Sequence, residues 1–168
     1  LSSFFSLRRN PICIFLIRQG PACFIFLDTG EDKPDSDIEY HGITDYDNYR
    51  TQQAEWLAEA VKSREFQDAS FRIVIAHMPP LPETDIWHGQ AEVLDKFVPI
   101  LNEAGADVML CGHLHEYFNN KPTDKVHFPV IDNSSNTVLK GVIKRDRLDI
   151  EIRDMSGGIV DTISIMAR

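Results

Sequence analysis

Gly112-His113-Leu114-His115 places two imidazoles two residues apart, directly after the apolar run Asp107-Val108-Met109-Leu110-Cys111. Neutral imidazole is the commonest protein ligand for zinc-like metals. A glycine at a strand end lets the backbone turn sharply and approach an ion or a phosphate closely. A second segment, Arg72-Ile73-Val74-Ile75-Ala76-His77-Met78-Pro79-Pro80, also runs β-branched residues into a histidine. Its prolines cannot continue a central strand, so the chain is expected to leave the sheet at His77.

The elements between these segments decide whether the histidines meet. From Ala91 to Ala104, apolar residues stand at Leu94, Phe97, Val98 and Leu101, three and four apart as a helix requires. Pro99 must kink or restart that helix, and Gly105 suits the left-handed residue just past its end. Strand, helix, strand makes a βαβ unit whose parallel strands share one C-terminal edge. Ligands in open α/β sheets bind outside that edge. The spacing therefore predicts one metal site built from His77, His113 and His115.

These segments resemble the C-terminal half of the calcineurin-like metallophosphoesterase family, which includes the purple acid phosphatases. Its last two motifs, a strand-end histidine and Gly-His-x-His, stand here in family order at His77 and at Gly112 to His115. Phe24 to Gly30 and Gln53-Ala54-Glu55-Trp56-Leu57 resemble the strand and the Gln-x-x-Trp-Leu helix that precede them, so the likeness covers residues 24–115. It implies an α/β fold: a β-sandwich of mixed sheets flanked by helices, layered α/β/β/α and lacking its N-terminal portion here. It implies a centre of two divalent or trivalent metal ions (Mn, Fe or Zn), with His77 and His113 on one and His115 on the other. It also implies hydrolysis of phosphomonoesters or phosphodiesters by the parent protein, on a phosphorylated small molecule or a phosphoprotein.

The family's earlier motifs are missing: the chain contains no Asp-x-His, no Gly-Asp-x-x-Asp and no Gly-Asn-His-Asp/Glu. Leu1 is not a start residue, and the expectation is a chain that begins mid-domain, supplies the C-terminal histidine ligands and by itself holds one metal or none. We expect a single domain over residues 1–168, with a βαβ part over 1–115 and antiparallel strands over 116–168. A sandwich without its first strands would expose an apolar face and edge, which favours self-association. The rival reading is a catalytically inactive member used as a binding or scaffolding module. Other His-x-His enzymes fit less well, since metallo-β-lactamase folds want His-x-His-x-Asp-His and Glu116-Tyr117-Phe118 follows here.

Composition sets the remaining bounds. With 168 residues, 43% hydrophobic and 26% charged, the chain can bury a core. A net charge of −9 argues against nucleic-acid or anionic-membrane binding, which rely on basic side chains. Cys13, Cys23 and Cys111 show no C-x-x-C spacing, so buried reduced thiols are expected. The apolar stretch from Phe4 to Phe26 is cut by Arg8, Arg9, Pro11, Arg18, Gly20 and Pro21, which is wrong for a membrane-spanning helix. It reads as a hairpin of Ile12–Ile17 and Cys23–Leu27.

Thr51 to Lys62 reads as an amphipathic packing helix, and Glu31 to Tyr49 as a long surface loop. Asp28, Glu31, Asp32 and His41 in that region read as solvated loop residues. From Val126, four segments alternate or are β-branched and read as an antiparallel meander. His88, eleven residues after His77, resembles the phosphate-contacting histidines of purple acid phosphatases and is the expected catalytic and substrate-binding donor. Tyr117 and Asn119 follow the last ligand and are expected to line the pocket, with Tyr117 touching substrate; His127 reads as structural.

Overall fold

A computed structural model describes residues 4–5, 14–81 and 86–168. The strands are β1 (Phe4–Phe5), β2 (Phe15–Gln19), β3 (Ala22–Phe26), β4 (Phe71–Ile75), β5 (Val108–Cys111), β6 (Phe118–Asn120), β7 (Val130–Asp132), β8 (Thr137–Ile143), β9 (Arg147–Asp154) and β10 (Ile159–Met166). The helices are α1 (Tyr46–Ala60), α2 (Arg64–Gln67), α3 (His88–Lys96) and α4 (Val98–Ala104), with a 3-10 turn at Ile38–Tyr40.

β4 lies at the centre of a sheet ordered β1-β2-β3-β4-β5-β7-β6, and Phe71 to Val74 are buried as a strand covered on both faces must be. β3, β4, β5 and β7 run parallel, while β1, β2 and β6 run antiparallel to their neighbours. The expected hairpin is present as β2 and β3, paired from Phe15↔Phe26 to Gln19↔Ala22; its start at Ile12, and Cys13, lie outside the described residues. β8, β9 and β10 form a separate antiparallel sheet.

Two cores follow from this layering. On one face of the larger sheet, Trp56, Leu57 and Ala60 of α1 and Val93, Phe97, Val98 and Leu101 of α3 and α4 pack with Leu16, Ile25, Val74 and Met109. Each such fully buried side chain contributes roughly 1.5–3 kcal/mol. On the other face, Phe71, Ile73, Val108 and Ile131 meet Leu148, Ile150 and Ile152 of β9. No helix contributes to this inter-sheet core among the described residues. β9 alternates as a half-buried strand should, its other face carrying Asp149 paired with Lys144 and Arg147, and Glu151 paired with Arg153. The described residues thus supply three of the four expected layers, α/β/β.

Three expectations change in detail. The meander expected from Val126 begins only at Thr137, because β7 joins the larger sheet parallel to β5, with β6 antiparallel on its other side. All three residues of β7 are buried, which suits an interior parallel strand and hides the alternation a meander would show. α1 starts at Tyr46, not Thr51, because Asp35 accepts the backbone N–H groups of Tyr46 at 2.8 Å and Asp47 at 3.0 Å. A carboxylate borrowed from eleven residues upstream thus satisfies the first-turn donors. The β4–β5 crossover starts at His88 and breaks at Phe97, where Pro99 in the first turn of α4 lacks the donor that would continue α3. Gly105 ends α4 at φ 67°, as expected.

Candidate metal centre

β4 ends at Ile75, two residues before the expected exit at His77, whose carbonyl accepts the N–H of Gly112 at 3.0 Å and ties together the segments that follow β4 and β5. The next residue, Met78, donates to the buried Thr29 hydroxyl at 3.1 Å. This places the His77 ring against His113: Nε2 of His77 lies 3.4 Å from Nδ1 of His113, with the rings edge to face. Two nitrogens bound tetrahedrally to one zinc at about 2.0–2.1 Å are about 3.4 Å apart. The pair is spaced to share one ion, and imidazole nitrogen donors suit zinc or iron.

The sharp turn falls on the histidines themselves. His113 has φ 84° and His115 φ 61°, while Gly112 is not in the left-handed region. Histidine tolerates positive φ better than most residues, yet each such residue stores of order 1–3 kcal/mol of strain. A Cβ at Gly112 would meet His77 Nδ1 at 3.7 Å, an ordinary contact, so the glycine is not sterically required there. Burial holds the His113 imidazole below its ordinary pKa; the charges of His77 and His115 push the same way and Asp32 opposes them. The expected convergence of all three histidines is incomplete: among the described residues His77, His113 and His115 do not bring three ligand atoms together as Asp47, His88 and Glu92 do, and His115 is exposed. A neutral ring is the form that binds metal.

Asp32, which reads in the sequence as a solvated loop carboxylate, lies against the histidine pair. Its Oδ2 lies 3.6 Å from His113 Nε2. The loop carrying it is held from below: Gly89 donates to the Asp32 carbonyl at 2.8 Å, and Arg50 donates to the carbonyls of Thr29 at 2.9 Å and Glu31 at 3.2 Å. An aperiodic acidic loop gives no local signal of this, and only the arginine on a buried helix face hints that something there must be bonded.

His88 opens α3, next to Gly89, which holds the Asp32 loop. Its Nε2 bonds Asp47 Oδ1 at 2.9 Å and stands 4.0 Å from Glu92 Oε2. Asp47, His88 and Glu92 together offer three ligand atoms that could hold a cation. Yet Arg50, whose side chain is fully buried, donates to both carboxylates, at 2.7 Å to Asp47 and 2.6 Å to Glu92, and Lys96 pairs with Glu92 as well. These two cations already balance the two carboxylates, so the cluster is an ion-pair seam between α1 and α3. Burial alone would raise the Asp47 carboxyl, but the His88 and Arg50 bonds outweigh it and hold it below its ordinary value.

Tyr117 points its hydroxyl at the second sheet, donating to Asp161 Oδ2 at 2.6 Å beside Asn119, whose amide donates to the same atom at 2.9 Å. Burial, then the Asp161 bond, raises its phenol well above the usual value. Cys23 and Cys111 are free and buried, and burial pushes the Cys23 thiol up to about 12. His127 is exposed, with its backbone N–H bonded to Asn102. No helix among the described residues is long and apolar enough to cross a membrane.

A sequence profile of the calcineurin-like phosphoesterases matches residues 11–117, the span that carries both histidine motifs. No curated protein matches the chain. Among solved structures the chain is similar to GAP50, described as the anchor in the inner membrane complex of Plasmodium, with a TM-score of 0.54 and 16% identity. That likeness covers 100% of this chain and 54% of the other, so the chain spans about half the length of its neighbour; at this identity it speaks for the fold alone. The matched profile, over well more than half of the residues, establishes that the chain belongs to the calcineurin-like phosphoesterase family.

Proposed function

We propose that this chain supplies the C-terminal half of a two-metal centre for hydrolysis of phosphate esters, with His77 and His113 binding one ion and His115 the other. The observation that carries the reading is the 3.4 Å approach of His77 Nε2 to His113 Nδ1 at the ends of two adjacent parallel strands. Bound in pairs, such ions lower the pKa of water and offset charge on the phosphoryl oxygens. The histidines' part is to present neutral lone pairs from a rigid sheet edge, and the strand ends fix their separation before any ion arrives. That local positive charge is needed in a chain of net charge −9 if it is to accept a phosphate ester.

His88 is the proposed substrate contact, since the start of α3 is tied to the Asp32 loop through Gly89. Protonated, it would donate to a phosphoryl or leaving oxygen once its Nε2 let go of Asp47. Tyr117, expected to touch substrate, is not proposed as a contact, since its ring packs against the inter-sheet core and its hydroxyl is committed to Asp161.

The second reading, an inactive binding or scaffolding module, is favoured by the missing Asp-x-His, Gly-Asp-x-x-Asp and Gly-Asn-His motifs. A neighbour of like fold that is described as an anchor points the same way. Hydrolysis of p-nitrophenyl phosphate and its diester by the full-length parent, measured with Mn, Zn or Fe supplied, separates the two. Metal-dependent turnover that falls to background in His113→Ala supports the hydrolase. Stoichiometric metal binding with no turnover in any metal would leave the module.

A further inference from the structure

Each ring nitrogen of His113 faces a different partner. Nδ1 faces His77 Nε2 at 3.4 Å, and Nε2 faces the Asp32 carboxylate at 3.6 Å. A neutral imidazole carries one proton and one lone pair, so whatever takes the proton at one nitrogen dictates that the other is the ligand. His77 cannot fix that choice, because it is itself a ligand candidate and needs its own lone pair. Asp32 can, since an ionised carboxylate only accepts.

Asp32 is also held for the task. Its carbonyl is pinned by Gly89 and the preceding carbonyl by the buried Arg50, so the carboxylate is delivered from a loop with fixed ends. Gly89 has no Cβ because one would stand 3.0 Å from Asp32 Cα and inside contact distance of the Glu31 carbonyl; α3 and the loop touch backbone to backbone. His113 is only 17% exposed at its side chain and Asp32 27%, so water competes weakly for the pairing.

We propose that Asp32 is the positioning residue of this centre: its carboxylate accepts a hydrogen bond from the Nε2–H of His113, which leaves the Nδ1 lone pair for the ion shared with His77. The proposal rests on the metal-centre reading above. Metal-ligating histidines commonly donate their second nitrogen to a carboxylate in this way, and loss of such a partner weakens metal affinity about 10- to 100-fold. A 3.6 Å separation is longer than a formed hydrogen bond, and a small side-chain rotation closes it.

The test compares wild type, Asp32→Ala and Asp32→Asn by zinc competition titration and by nitrogen-15 NMR of the zinc-loaded histidine rings. Wild type is expected to show a slowly exchanging His113 Nε2 proton. Asp32→Ala is expected to lose that signal and to bind zinc about 10- to 100-fold more weakly, with an unchanged circular dichroism spectrum. Asp32→Asn keeps an acceptor oxygen and is expected to recover most of the affinity. If Asp32→Asn is as weak as Asp32→Ala, charge alone is responsible and the positioning role is overturned. If wild type binds zinc and Asp32→Ala matches it, the proposal falls while the metal centre stands. If wild type binds no zinc, the metal-centre reading falls and the proposal with it.

Discussion

Arg50 hangs the Thr29 carbonyl, and with it the whole Asp28–Asp32 loop, from the buried face of α1 through a 2.9 Å hydrogen bond. The same guanidinium reaches the Glu31 carbonyl, Asp47 and Glu92, so one wholly buried cation serves two helices and the loop that faces His113. A charge buried this deeply is tolerable only because its donors are spent on carboxylates and carbonyls.

Replacing Arg50 by Met should destabilise the protein by about 3–5 kcal/mol, the range for breaking a buried ion pair on one side only. Lysine should recover little, because one ammonium cannot span the positions a planar fork reaches. Urea denaturation at pH 7 reads this directly. A loss under about 1 kcal/mol, as for exposed pairs, would mean the network is solvated in solution.

Gly89→Ala tests the backbone contact between α3 and the loop. The added methyl would meet the Glu31 carbonyl, Met78 Cε at 2.8 Å and Asp32 Cα at 3.0 Å, and only the methionine tip can swing away. We expect a loss of about 1–3 kcal/mol, typical of overpacking, together with weaker zinc binding as Asp32 is displaced from His113. Unchanged zinc affinity alongside lowered stability would show that the loop moves without carrying Asp32.

What the sequence disclosed follows from what periodicity can carry. The β2–β3 hairpin, the β4 and β5 strands that each lead to a histidine two residues on, the stripe of α1 and the break at Pro99 are all local patterns, and local patterns survive folding. Asp35 capping α1, Asp32 facing His113 and Arg50 bridging two helices are pairings between distant positions, set by where loops land. β7 was hidden for another reason: three residues buried on both faces carry no alternation, so nothing in Val130-Ile131-Asp132 distinguishes a parallel strand from the start of a meander. His88 stands out in the sequence as a phosphate contact, while its pairing with Asp47 across the α1–α3 seam leaves no local signal.

Zinc should raise the melting temperature, and a chelator should reverse the gain. A ligand present at 100 times its dissociation constant adds about 2.7 kcal/mol of stability. The shift should vanish in His77→Ala and His113→Ala and persist in His127→Ala, whose ring lies on an exposed segment outside the trio. A shift that persists in both ligand variants but disappears in His88→Ala would move the metal to the Asp47, His88 and Glu92 cluster.

Asp132 predicts an unusual pH dependence of stability. It is fully buried at the end of β7, in register with Cys111, and neither carboxylate oxygen has a hydrogen-bond partner among the described residues. Burial raises its carboxyl to about 7, an effect the nearby Leu114 N–H only partly offsets. Its pKa in the unfolded chain is about 3.9, so between these values the unfolded chain has lost the proton while the folded one keeps it. Its contribution to stability is therefore full below about pH 4 and is lost as pH rises through 7. Asp132→Asn cannot ionise and removes this slope. Subtracting the wild-type unfolding free energy from that of Asp132→Asn at each pH isolates the group, and the difference should grow in the mutant's favour from pH 5 to pH 8. A flat difference would mean the carboxyl ionises as easily folded as unfolded, and that water or a cation reaches it beside β5.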